Sequence, residues 1–344
     1  MFSEITRERF RNFKRIRRAY WSLIILTTAF VLSLFSEFIA GDKPLLLRYK
    51  GGTYIPVVRF YPSTEFGGQY KTEADYHKLT ESEAFKNAGG WAIFPIISHG
   101  PFRHDIQLEG SPPHPPSWRH WLGTDSGARD VLSRVIHGFR ISMLFALILM
   151  IIAAFYGIVI GGLQGYLGGK TDMTVQRIIE VWSALPFLYV VMLIGSIYGR
   201  TFTILVVVMS LFSWIGLSYY MRGEFLKIKN MNYVRAARAL GIGPLRIFFR
   251  HILPNSLTPV ITILPFTLIS GIGSLTALDF LGYGLPPPTP SWGELMKQGL
   301  DTIQFAPWLA ISATSALFVT LLLATFIGEG VREAFDPRAE YRVE

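Results

Sequence analysis

Long apolar windows that are almost free of charge constrain this chain more than any other feature. Charged residues make up only 17% of its 344 residues, against about a quarter in a soluble domain. They are nearly absent from several windows and dense between them. A bilayer selects this distribution, because an ionisable side chain at its centre costs roughly 3 kcal/mol or more. The sequence therefore predicts an all-α membrane protein.

Six windows are predicted to cross the membrane as helices. At a rise of about 1.5 Å per residue, each covers most or all of a hydrocarbon core about 30 Å thick. The windows are residues 20–38, 141–163, 181–198, 202–220, 257–277 and 308–327. Pro259, Pro265, Gly271 and Gly273 predict that the fifth span is kinked or irregular.

Basic residues beside these windows predict the orientation, because cytoplasmic loops are enriched in lysine and arginine. Seven precede the first window: Arg7, Arg9, Arg11, Lys14, Arg15, Arg17 and Arg18. Seven more lie within residues 221–255: Arg222, Lys227, Lys229, Arg235, Arg238, Arg246 and Arg250. With six spans, both segments and the C-terminus fall on one side, which we expect to be the cytoplasm. The net charge of +9 thus reflects membrane topology and not nucleic-acid binding.

The residues between the first two windows form a long external segment in this orientation. They are rich in proline, glycine and aromatic side chains, a composition that predicts a folded periplasmic insert rather than disorder. We therefore expect four parts: a basic N-terminus with the first helix at 1–38, a periplasmic insert of roughly 100 residues at 39–137, a five-helix permease-like core at 138–335 that contains a cytoplasmic loop at 221–255, and a cytoplasmic tail at 336–344.

Residues that carry enzyme or metal chemistry are missing or wrongly spaced. The chain has no cysteine, which excludes disulfides and thiolate metal sites. Four histidines share one proline-rich stretch: His99, His104, His114 and His120. Their irregular spacing predicts a solvated loop and no metal site. Gly169-Lys170-Thr171 ends like a phosphate-binding loop, but Gln164 stands where the first glycine belongs, so we expect no ATPase site and no bound cofactor.

The second window carries four glycines at intervals of four residues: Gly157, Gly161, Gly165 and Gly169. Residues four apart share a helix face, and glycine on that face lets two helix backbones approach closely. This pattern predicts tight packing against another helix, either in this chain or in a second subunit.

The cytoplasmic loop contains a helix–glycine–helix pattern. A short helix is predicted to start near Asn232, a suitable N-cap, and to stop at Gly241, a suitable left-handed residue. Gly243 and Pro244 then begin a second helix, with proline in its first turn.

Small and basic side chains on the first of these helices suggest docking onto another protein. Ala236 and Ala237 would allow a close approach to a groove. Arg235 and Arg238 lie three residues apart on one face, where they could meet acidic side chains.

This loop resembles the coupling loop of ABC-importer permeases, named for its Glu-Ala-Ala sequence. The matching residues are Ala236, Ala237, Gly241, Ile252, Leu253 and Pro254, and Arg235 stands at the position of the glutamate. The resemblance implies that these residues, together with Arg238, dock on an ATPase subunit and transmit its motion.

Other segments resemble the dipeptide, oligopeptide and nickel permeases, in the same order along the chain. They are residues 121–134, 165–169 with Asp172 and Pro186, 279–284, 287–293 and 336–338. In the N-terminal third, the matching segments are residues 20–23, 36–46, 66–68 and 74–76. They resemble the Yej-type branch of that family, which imports peptides and the peptide-nucleotide antibiotic microcin C and carries an enlarged periplasmic segment.

The resemblance implies a permease subunit of the bacterial inner membrane that forms half of a peptide pathway. Its partners would be a homologous permease in a heterodimer, two ATPase subunits that hold the ATP, and a periplasmic solute-binding protein. Nickel or another small solute is the alternative substrate within the same superfamily. Ion-coupled secondary transport is less favoured, because Glu180 and Asp279 lie only at the edges of spans.

Overall fold

The computed structural model describes residues 4–335, so the predicted tail at 336–344, with its Asp336-Pro337-Arg338 match, lies outside the described residues. The chain divides into two compact units. Unit 1 contains Ser142–Pro286, the N-terminal residues up to Thr27 and the C-terminal residues from Phe318 onwards. Unit 2 contains Thr28–Ile141 and Pro287–Leu317.

The helices follow one another along the chain as α1 (Glu4–Arg15), α2 (Arg17–Leu34), α3 (Ser36–Ile39), α4 (Tyr76–Glu81), α5 (Glu83–Asn87), α6 (Val131–Leu167), α7 (Gly169–Ser183), α8 (Phe187–Tyr198), α9 (Phe202–Ser213), α10 (Ile215–Ile228), α11 (Asn232–Ala239), α12 (Pro244–Ile247), α13 (Leu253–Phe280), α14 (Trp292–Asp301) and α15 (Pro307–Ala334).

Four helical segments within residues 4–335 are long and apolar enough to cross a membrane. They are α6, the pair α9–α10, the run from α12 through α13, and α15. They coincide with the second, fourth, fifth and sixth predicted windows. The pair α7–α8 would make a fifth crossing. The first predicted window falls on α2 and α3, which are separated at Phe35 and do not reach the same length and hydropathy.

The third predicted window, 181–198, is not one straight helix. α7 ends at Ser183, α8 begins at Phe187, and the two are bent by 69°. Pro186 lies between them, and proline both lacks an N–H and disfavours helical backbone in the residue before it. The fifth window, by contrast, lies in one continuous helix, because α13 runs through Pro259 and Pro265. A π-helical turn at Phe248–Ile252 precedes this window.

Unit 2 contains a small antiparallel sheet, which the prediction of an all-α fold did not include. Its strands are β1 (Leu46–Tyr49), β2 (Gly52–Tyr54) and β3 (Trp91–Ile93), in the order β2-β1-β3. Lys50 and Gly51 join β1 to β2 with φ angles of +48° and +80°, as a two-residue type I′ turn requires. Strands of three or four residues are too short to produce a periodic hydrophobic signal.

Aromatic side chains form the core beside this sheet. Tyr49, Phe66, Tyr76 and Phe85 are buried together with Leu47. The rings of Tyr49 and Phe85 stack with their centroids 5.3 Å apart. The aromatic residues within 39–137 thus build a separate core for unit 2, in keeping with the value of stacked rings in a small domain.

Candidate coupling site

The helix α11 ends in a left-handed turn at Gly241. This glycine has a φ of +76°, its N–H bonds to the carbonyl of Arg238 at 3.0 Å, and the N–H of Ile242 bonds to the carbonyl of Ala237 at 3.1 Å. These two bonds form the Schellman arrangement, which stops a helix at glycine. At the other end Met231 occupies the cap position without a side-chain cap, so the predicted N-cap at Asn232 is one residue out.

Two buried side chains hold α11 against the rest of unit 1. Val234 and Ala237 pack in one cluster with Phe225 and Ile228 of α10 and with Ile252. Ala237 therefore faces the core of this chain. Of the two alanines predicted to meet another protein, the exposed one is Ala236.

The opposite side of α11 and α12 carries exposed apolar and basic side chains. Leu240, Leu245 and Phe249 are 81%, 74% and 62% exposed. Arg235 and Arg238 are exposed as well. We call this surface the docking face; its residues are Arg235, Ala236, Arg238, Leu240, Leu245 and Phe249. Large apolar side chains with basic neighbours are typical of a surface that binds another protein.

The Ile-Leu-Pro segment connects this face to the next span. Ile252 is fully buried in the cluster that holds α11. Leu253 and Pro254 are the first two residues of α13. Proline is tolerated there because the first turn of a helix has N–H groups without intrahelical partners.

Three of the predicted packing glycines lie against α10 of the same chain. A Cβ added at Gly165 would lie 2.6 Å from the carbonyl oxygen of Arg222, and one added at Gly161 would collide with the carbonyl of Ser218. A Cβ at Gly157 would lie 2.8 Å from that of Leu217. The backbones of α6 and α10 therefore touch, and the partner helix is intramolecular.

Gly169 does not belong to this packing face, contrary to the prediction. α6 ends at Leu167, and Gly168 and Gly169 follow with φ angles of +66° and +57°. A Cβ at Gly169 would meet open space. This glycine instead begins α7 after the break.

Polar contacts join α10 to the junction of α6 and α7. The guanidinium of Arg222 donates two hydrogen bonds to the carboxylate of Asp172, at 2.5 and 2.8 Å. The ammonium of Lys229 donates to the carbonyl of Gly165 at 2.7 Å. These bonds thus link α10, which precedes the docking face, to the end of α6 and the start of α7.

A buried ion-pair network in unit 2 brings two of the sequence motifs together. Arg134 is fully buried and donates to Glu294 and, at 3.1 Å, to the carbonyl of Pro101. Arg129 donates to Asp125 at 2.8 Å and to Glu294 at 3.2 Å. Burial alone would lower the pKa of Arg129, but its hydrogen bonds and charge interactions with Asp125 and Glu294 together outweigh that effect and raise the pKa. Buried ion pairs and hydrogen bonds therefore hold segment 121–134 against the region of segment 287–293.

Glu294 is the site residue that sequence reasoning missed. It follows directly after the 287–293 segment, and its N–H donates to the hydroxyl of Ser291 at 3.3 Å at the start of α14. A serine followed three residues later by glutamate is a signature of a helix start, and this signal could have drawn attention to it.

The proline-rich histidine stretch is not the solvated loop that its spacing predicted. His99 and His120 are only 6% and 1% exposed, although His104 is exposed. The Nε2 atom of His120 lies 3.1 Å from Oδ2 of Asp105, and that of His99 lies 3.6 Å from the same oxygen. Short β-like and irregular segments bring these residues together from distant positions, which spacing alone does not reveal.

Several helices of this chain are long and apolar enough to span a membrane. Residues 157–341 match the model of the family described as binding-protein-dependent transport system inner membrane component, and the chain belongs to this family. It is a multi-pass permease subunit of an ABC importer. Such permeases are not ATPases themselves; they work with ATPase subunits that bind ATP and with a substrate-binding protein.

Curated relatives agree with this assignment. The chain is 44% identical to the peptidoglycan transport system permease protein YejE of Agrobacterium fabrum, over 99% of this chain and 95% of the relative. It is also 44% identical to the inner membrane ABC transporter permease protein YejE of Escherichia coli, over 97% and 98%. Identity to the oligopeptide transport system permease protein OppC of Haemophilus influenzae is 36%, over 64% and 70%.

Proposed function

We propose that this permease forms half of a pathway by which peptides enter the cytoplasm, in a heterodimer with a second, homologous permease. Two relatives support the substrate class: one is named for oligopeptide transport and the other for peptidoglycan, whose fragments contain peptides. Peptide-nucleotides of the microcin C type are a narrower candidate, suggested by the resemblance to the Yej-type branch. The chain contributes no ATP site of its own.

The docking face is the observation that carries the proposed mechanism. ATP closes the two ATPase subunits, and the helix that presents Arg235, Arg238 and Leu240 moves with the subunit bound to it. Val234 and Ala237 pass this motion to α10, because both lie in one buried cluster with Phe225 and Ile228 of that helix. The pathway then alternates between outward-facing and inward-facing states, with nucleotide shifting the balance between them.

We place both chain ends and the 221–255 loop in the cytoplasm. α2 has 18 residues, about 27 Å of helix, and with α3 it supplies the first of six crossings. The 39–137 segment is then periplasmic. Its exposed apolar side chains, Trp118 at 97% and Ile106 among them, fit a docking surface for the solute-binding protein.

Reconstitution tests the substrate class. The permease is combined in liposomes with its partner permease, ATPase subunits and binding protein, and ATP hydrolysis is measured with peptides, with peptidoglycan fragments and with Ni²⁺. We expect peptide-containing substrates to stimulate hydrolysis and Ni²⁺ to have no effect. Stimulation by Ni²⁺ alone would assign the chain to the metal-importing branch.

A further inference from the structure

We propose that His99, Asp105 and His120 in unit 2 form a binding site for a divalent transition-metal ion, for which Zn²⁺ is the probe. Each of the three residues is buried, and their ligand atoms lie within 4.8 Å of one another. Two imidazoles and one carboxylate are a ligand set that suits zinc, nickel and related ions better than calcium or magnesium.

The spacing of the ligand atoms fits a single ion. Ligands of tetrahedral zinc stand about 2.1 Å from the metal and therefore about 3.4 Å from one another. Oδ2 of Asp105 lies 3.1 Å from Nε2 of His120 and 3.6 Å from Nε2 of His99. Small side-chain movements would bring all three atoms into ligand positions.

A second carboxylate orients one of the two imidazoles. Oδ2 of Asp130 lies 2.8 Å from Nδ1 of His120, and both residues are buried. When Nδ1 donates to this carboxylate, Nε2 presents its lone pair to the cluster. Histidine ligands of metals commonly have such a carboxylate behind them. Asp130 also accepts the N–H of Ser133 at 2.7 Å, so the site is tied to the first turn of α6.

Arg119 is the cation that faces the cluster in this structure. Its Nε lies 2.7 Å from Oδ2 of Asp105 and donates to Nε2 of His99 at 3.4 Å. Its side chain is 43% exposed and also bonds to Gln107 at 2.8 Å, so it can withdraw towards solvent. A cavity of about 110 Å³ beside the cluster is lined by His99, Arg119 and Asp130. Arg119 and the metal ion thus compete for the same two ligands.

This competition supplies the test. The full-length chain is purified in detergent, stripped with a chelator, and titrated with Zn²⁺ by calorimetry, with Mg²⁺ as the hard-cation control. We expect one Zn²⁺ per chain, binding weakened about tenfold or more in His99→Ala, and binding strengthened several-fold in Arg119→Gln. His104→Ala, an exposed histidine of the same stretch, is the matched control and should bind Zn²⁺ as the wild type does.

A structural role alone predicts a different pattern. If the cluster serves only as an ion-pair network, Arg119→Gln will not strengthen Zn²⁺ binding and His99→Ala will bind as much Zn²⁺ as His104→Ala. Either result overturns the proposal. Size-exclusion chromatography of each variant identifies misfolded protein, and Arg119→Gln keeps the test decisive if His99→Ala does not fold.

Discussion

Gly241 is the residue at which the proposed coupling mechanism is most directly tested. Its φ of +76° is strained for any L side chain, at a cost of about 1–3 kcal/mol for a β-branched one. Gly241→Val should therefore unwind the end of α11 and tilt Arg238 and Leu240 out of place. We expect ATP hydrolysis in the reconstituted importer to lose its dependence on peptide, and peptide uptake to fall.

Gly243 is the matched control for this change. It lies two residues further on, has an ordinary φ of −63°, and a Cβ there would meet open space. Gly243→Val should retain peptide uptake. Normal uptake by Gly241→Val would show that the left-handed turn is not needed for coupling.

At the scale of elements, the contact between the backbones of α6 and α10 is expected to contribute to stability. A methyl group at Gly161 would collide with the carbonyl of Ser218, and backbone cannot move aside as a side chain can. Gly161→Ala should separate α6 from α10 and lower the free energy of unfolding by about 1–3 kcal/mol. Thermal unfolding of the purified chain in detergent, followed by tryptophan fluorescence, measures this loss.

Gly223 of α10 tests whether the effect belongs to that contact. Open space surrounds its Cβ position in this chain, so Gly223→Ala should leave stability unchanged or raise it by about 0.5–1 kcal/mol through better helix propensity. Equal losses in both variants would contradict the assignment of α10 as the partner of these glycines.

Elements differ in how far sequence could predict them. Hydropathy located the long helices α6, α13 and α15 because a run of about 20 apolar residues is a signal that chance seldom imitates. The break at Pro186 stayed hidden inside an apolar window. The pairing of Arg134 with Glu294 spans 160 residues and depends on the tertiary fold. Gly241 was predictable because its turn is purely local.

At the scale of the whole molecule, the proposed membrane topology can be tested by labelling single cysteines. The chain has no cysteine, so single-cysteine variants need no background mutations. Asn230→Cys, between α10 and α11, should react with a membrane-impermeant maleimide only after the inner membrane is permeabilised. Glu109→Cys, exposed in unit 2, should react in intact spheroplasts. Labelling of both positions from the same side would exclude the proposed six crossings.

The direct contact between α6 and α10 also determines which part of the molecule is rigid. Side chains can accommodate small displacements by changing rotamer. A contact between glycine and a backbone carbonyl cannot adjust in this way, so it is almost rigid. In the proposed mechanism, we therefore expect a displacement of α11 to reach α6 through α10. The contact ends at the Gly168–Gly169 step, where both residues have positive φ angles and α6 is followed by α7.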